Sequence, residues 1–117
     1  VENIYKKLTD CGFERISFHA HNNLQLAFTN TIKAIELGAY SVDATTFGMG
    51  RGAGNLPIEL LLKYLEKDSS EYLKIIKKYY IELHSQTAWG YDYNALIGGL
   101  NNIHPTKIAQ FIEQNMQ

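Results

Sequence analysis

Over the first sixty-odd residues the apolar positions alternate between two rhythms. Val1, Ile4, Tyr5 and Leu8 recur at helical spacing, and Cys11-Gly12-Phe13 breaks that pattern, so the chain is predicted to open with an amphipathic helix. Ile16-Ser17-Phe18 reads as a short strand running into His19-Ala20-His21. Asn22 and Asn23 suit a loop or a helix cap. Leu24, Ala27, Phe28, Thr31 and Ile35 form the next helical stripe, with Gly38 as its stop. Tyr40-Ser41-Val42-Asp43-Ala44-Thr45 is the second predicted strand. A glycine-dense loop, Gly48-Met49-Gly50-Arg51-Gly52-Ala53-Gly54-Asn55, follows it. Pro57 suits the first turn of a helix carrying Ile58, Leu61, Leu62 and Leu65.

Residues 1–66 therefore alternate helix and strand, the pattern of an α/β fold with parallel strands and right-handed crossovers. Two strands are too few for a parallel sheet covered on both faces, so either copies assemble or further strands lie on additional sequence. Residues 67–117 change character and read as an all-helical region. Asp68-Ser69-Ser70 is a helix-start signal, and Tyr72, Leu73, Ile76, Tyr79, Tyr80 and Leu83 define an amphipathic helix. An aromatic loop, Trp89-Gly90-Tyr91-Asp92-Tyr93, separates it from a helix over Ala95–Leu100. His104-Pro105 opens a final one that ends near Met116.

Composition narrows the functional classes. A formal net charge of −1 supplies no basic field for nucleic acid or an anionic membrane. No apolar run approaches the roughly 20 residues of a membrane span, and the first residues look like an amphipathic helix rather than a signal peptide. The one cysteine, Cys11, excludes an internal disulfide framework and a Cys-rich zinc site. It is expected to be a semi-buried loop residue, and a lone thiol fits a reducing, cytoplasmic setting.

Chemistry concentrates at the strand ends. His19 and His21 are two apart at the end of a strand, where side chains at i and i+2 share a face. Two imidazoles there can converge on one metal ion, or can simply be polar residues satisfied at a strand end. The C-terminal ends of parallel strands are also where α/β enzymes place their active sites. Asn55 is expected to cap the following helix or to offer an oxygen ligand. Arg51 is a candidate carboxylate binder or a solvated surface residue. Asp43, inside the second strand, needs a partner if it is buried. The glycine loop lacks a Gly-Lys-Ser/Thr ending and is no P-loop, and it does not match the dinucleotide fingerprint. Tyr91 and Tyr93 are expected to pack structurally. His84 and His104 have no partner at useful spacing.

Taken together, Phe18-His19-Ala20-His21-Asn22-Asn23-Leu24, Val42-Asp43-Ala44 and the loop Gly48–Pro57 resemble the pyruvate-carboxyltransferase or HMG-CoA-lyase-like superfamily of TIM-barrel metalloenzymes. Within it they are most similar to the 4-hydroxy-2-oxovalerate aldolase branch. The resemblance implies that residues 1–66 carry the last two strands and helices of a TIM barrel, followed by a C-terminal helical region over 67–117. It implies His19, His21 and Asn55 as ligands of Mn2+ or Mg2+, with Zn2+ as an alternative, and Tyr91 as a catalytic tyrosine near the substrate. The implied substrate is a small 4-hydroxy-2-oxo acid, cleaved to pyruvate and an aldehyde; Arg51, from its place in the glycine loop, is the candidate substrate-binding residue for it. The family's first-strand motif, with a third ligand, an arginine and the general base, is absent from these residues, so the isolated chain is expected to be inactive without that missing N-terminal barrel portion. A homo-oligomer or an acylating aldehyde dehydrogenase is the implied partner. The alternatives are a Claisen-type relative acting on acyl-CoA and a binding or assembly module that has lost turnover.

Overall fold

The computed structural model describes residues 1–116. Helix α1 (Glu2–Asp10) leads to strand β1 (Ser17–Phe18), helix α2 (Ala27–Glu36) and strand β2 (Ser41–Val42). Helix α3 (Ile58–Tyr64) follows the glycine loop. Helices α4 (Ser70–Ile75) and α5 (Ile81–Thr87) are joined through a π-helical turn (Ile76–Tyr80), and α6 (Tyr93–Asn101) and α7 (Ile108–Asn115) complete the chain. The two strands pair in parallel, Ser17 opposite Ser41 and Phe18 opposite Val42. The expected helix–strand–helix–strand–helix order is present. The strands are shorter than predicted, because ladder geometry is met only where β1 and β2 face each other. Flanking bonds from Tyr40 N–H to the Ile16 carbonyl and from Asp43 N–H to the Phe18 carbonyl prolong the contact.

That register gives the sheet two unlike faces. Phe18 and Val42, with Ala44, pack against a buried cluster of Ala20 just after β1, Ala27 of α2, Leu56 of the glycine loop's end and Leu61 of α3. Strand alternation sends Ser17, His19, Ser41 and Asp43 to the opposite, exposed face. There the Ser17 and Ser41 hydroxyls bond at 2.6 Å. The molecule is flat, 47 × 37 × 16 Å, with a radius of gyration of 16.2 Å. A compact domain of this length has about 13 Å, so the polar face is not folded over by the rest of the chain.

Asn22, not an α2 residue, caps α2: its Oδ1 accepts from Ala27 N–H at 3.1 Å. The expected start at Asp68 is formed by Ser70, whose N–H and Oγ–H donate to the two carboxylate oxygens. The π turn adds a residue to the rod from Ser70 to Thr87 and shifts its buried stripe. Ile76 is buried, with Tyr72, Tyr80, Leu83 and His84 half-buried beside it, whereas Leu73 and Tyr79, expected on that stripe, are exposed. Cys11 is exposed at the end of α1, not semi-buried. Among the described residues no helix is long and apolar enough to cross a membrane.

Candidate metal centre

His19 and His21 leave β1 on its polar side, on either side of buried Ala20. Their rings lie edge to face, centroids 4.9 Å apart and planes at 77°. Two imidazoles bound to one ion at about 2.1 Å place their centroids roughly 4.5–5.2 Å apart, so this spacing suits shared coordination. The register continues from Phe18–Val42 to put Asp43 beside His19, and Asp43 Oδ2 lies 3.1 Å from His19 Nδ1. A carboxylate there accepts from Nδ1–H and leaves the Nε2 lone pair free, the arrangement that orients metal-binding histidines. Sequence reading left Asp43 without a partner; only the pairing of the two strands reveals one.

Asn55 reaches the same place from the other loop. A backbone bridge joins His21 to Asn55, and Asn22 N–H donates to the Gly54 carbonyl at 3.0 Å. The Asn55 amide donates to the Met49 carbonyl at 3.1 Å, and among the described residues its Oδ1 accepts nothing. Asn55 is therefore not the cap of α3; Pro57 occupies that position, without a side-chain cap bond. Gly50 makes room for this arrangement, since a Cβ there would lie 2.6 Å from Asn55 Nδ2. Two imidazole nitrogens and an amide oxygen are a donor set suited to a borderline divalent cation. Among the described residues no third His, Cys, Asp or Glu completes a cluster with them.

These groups line a cleft of about 440 Å³ that also takes in Asn23, Gly50, Arg51, His104 and Pro105. Arg51 is exposed, and among the described residues no carboxylate pairs with it. Tyr91 does not line this cleft. It lies 65% exposed on an adjoining depression that shares Asn55 with it. Tyr93 is exposed as well, so neither tyrosine packs as expected, and Trp89 is the buried aromatic of that loop. His104, which has no partner at useful spacing in the sequence, is exposed but belongs to the cleft wall.

The glycine loop is clamped from the helical region. Phe47 adopts a left-handed backbone, φ 55°, which is strained for a bulky residue. Its N–H donates to the Glu59 carboxylate at 2.8 Å, and its carbonyl accepts from Trp89 Nε1–H at 2.9 Å. Gly90 N–H donates to the Gly52 carbonyl. His84 was expected to have no partner, but its Nε2 lies 2.6 Å from the Trp89 carbonyl.

Residues 1–87, most of the chain, match the profile of the HMGL-like family. The chain belongs to the HMGL-like family. Among curated relatives it is 55% identical over 53 residues to a 4-hydroxy-2-oxovalerate aldolase of Thermus thermophilus, covering 45% of this chain and 15% of that protein. It is 48% identical over 52 residues to an oxaloacetate decarboxylase of Mycobacterium tuberculosis, covering 44% of this chain and 16% of that protein. The matched part of the chain thus spans about a sixth of the length of these relatives. It is also similar to the crystal structure of the N-terminal domain of a Bacteroides vulgatus protein assigned as an aldolase. The TM-score there is 0.77 at 35% identity, over 94% of this chain and 40% of that one. The HMGL-like fold here is α/β, two βα units of TIM-barrel type with a helical region packed on their loops.

Proposed function

We propose that this HMGL-like chain carries the metal-binding portion of a carbon–carbon lyase that cleaves a 4-hydroxy-2-oxo acid to pyruvate and an aldehyde. The observation that carries the reading is the convergence of His19, His21 and Asn55 at one cleft, with Asp43 bonded to His19 behind it. His19 Nε2, a ring nitrogen of His21 and Asn55 Oδ1 would hold the cation, Mn2+ or Mg2+ ahead of Zn2+. When bound, that cation supplies Lewis-acid stabilisation of the negative charge developing on the 2-oxo oxygen. Arg51 would hold the substrate carboxylate, for which its planar fork is suited. Asp43 keeps the His19 ring oriented and its Nδ1 protonated. Tyr91 is the proposed catalytic contact from the depression across Asn55. We take residues 1–66 as the barrel portion and 67–117 as the helical region that clamps the glycine loop.

The similarity to an oxaloacetate decarboxylase favours one second reading. Loss of carbon dioxide from oxaloacetate and loss of an aldehyde from a 4-hydroxy-2-oxo acid both leave the same pyruvate enolate. One site can serve both, and the electrophile that departs distinguishes them. The test is pyruvate release by the full-length protein, measured with a lactate dehydrogenase couple, from 4-hydroxy-2-oxopentanoate and from oxaloacetate. Mn2+-dependent release from the hydroxy acid, abolished by a chelator, is expected. Turnover only with acyl-CoA, or none with stoichiometric metal bound, would overturn the proposal in favour of a Claisen-type enzyme or a binding module.

A further inference from the structure

We propose that His104 is a substrate-binding residue of this cleft, donating from Nε2–H to a carboxylate oxygen of the pyruvyl half. The inference rests on reading the cleft as a metal-dependent 2-oxo acid site. Three observations carry it. First, His104 and the residue after it line the same cleft as His19, His21 and Arg51. Among the described residues its ring is not stacked on either of the other two, so it forms a separate wall.

Second, the ring is fixed at one nitrogen. His104 Nδ1 lies 2.9 Å from Thr106 Oγ1 and accepts from Thr106 N–H at 3.4 Å. A backbone N–H can only donate, so Nδ1 is the acceptor, and the neutral ring carries its proton on Nε2. Among the described residues that Nε2–H has no partner, which leaves a donor available to an anion. Third, the backbone under His104 is seated on the glycine loop. Pro105 lies against Gly52, its Cγ 3.0 Å from where a Cβ at that position would be. Gly52 sits next to Arg51, so one contact holds both candidate carboxylate donors in register.

The competing role for His104 is only to cap the short turn that begins at Pro105. Two substitutions in the full-length protein separate the roles. Asparagine caps turns well but is too short to reach as far as Nε2, whereas glutamine places an N–H near the Nε2 position. The probe is oxalate, a planar mimic of the pyruvate enolate, titrated calorimetrically in the presence of saturating Mn2+.

His104→Asn is expected to weaken oxalate about 10- to 100-fold, the loss of one charge-assisted hydrogen bond. It should raise KM for the hydroxy acid in parallel and leave Mn2+ affinity within about twofold. His104→Gln is expected to stay within about fivefold of wild type. Oxalate binding by His104→Asn equal to wild type would overturn the assignment while leaving the reading of the cleft intact. Equal losses of Mn2+ affinity and oxalate affinity would also overturn it. Failure of the wild-type protein to bind Mn2+ or oxalate would instead sink that reading, and the assignment with it.

Discussion

Replacing Asp43 by alanine isolates what the strand register contributes to the proposed metal centre. The carboxylate sits 3.1 Å from His19 Nδ1, with the two side chains 47% and 61% exposed in this chain. An ion pair so exposed contributes about 0–1 kcal/mol to stability, so the fold should barely notice its loss. The effect on metal is larger, because the carboxylate selects the tautomer that frees Nε2 and restrains the ring about its own axis. Losing such an outer-shell partner typically lowers metal affinity about 10- to 100-fold. Water can replace the lost acceptor at a half-exposed site, which puts Asp43→Ala near the lower end, about 10-fold or about 1.4 kcal/mol. Asp43→Asn should fall between, near threefold, since an amide oxygen still accepts from Nδ1–H but an amide nitrogen competes for the other tautomer. The assay is calorimetric titration of the metal-free full-length protein with Mn2+. An unchanged thermal midpoint should accompany the loss. Affinity within twofold of wild type for Asp43→Ala would refute the reasoning, and a loss beyond about 1,000-fold would make Asp43 a ligand in its own right.

Three further outcomes are expected. His19→Ala or His21→Ala should abolish Mn2+ binding and activity while leaving the circular dichroism spectrum intact, because both side chains are exposed on the polar face; turnover near wild type in either would remove it from the ligand set. Gly50→Ala should displace the Asn55 amide from its bond to Met49, costing about 1 kcal/mol of stability and roughly tenfold in metal affinity, and a variant with unchanged affinity would show that Asn55 Oδ1 is not a ligand. The Asp68 carboxyl is held below the usual carboxylate range by the Ser70 Oγ–H and then by the Ser70 N–H. Its folded-state pKa is depressed, so the interaction is fully present above the ordinary carboxylate pKa and is lost as pH falls through the lowered value. The Ser70 amide resonance should titrate with a midpoint below that of an ordinary aspartate, and Asp68→Asn should remove that step.

The shared placement of His19 and His21 was legible in the sequence because their relationship is local. His19 and His21 are two residues apart at a strand end, and strand geometry alone puts them on one face. The order of helices and strands was legible for the same reason. The Asp43–His19 pair was not, since it depends on which residue of β2 lies opposite β1, a register set by the intervening helix and its Gly38 stop. Asn55 looked like a helix cap because its spacing before Ile58 suits one, yet the nearby Met49 carbonyl takes its amide. His104 looked inert because its place in the cleft wall depends on the helical region folding back so that Pro105 meets Gly52. In the helical region the helical spacing that placed Tyr79 inside fails within the π turn, where one additional residue rotates the positions that follow.

The two-sided sheet also makes the short connection between α2 and β2 a measuring rod. Insert one amino acid between Gly38 and Ser41, and every later position of β2 exchanges its oily side for its wet one. Valine would then stand where the carboxylate was, while the aspartate would be driven among the alanines and Leu56. The stretch around Lys67 sets no such spacing and should accept a longer sequence quietly. Length variation among natural versions of this protein should therefore gather there and spare the few residues that count out the distance to the second strand.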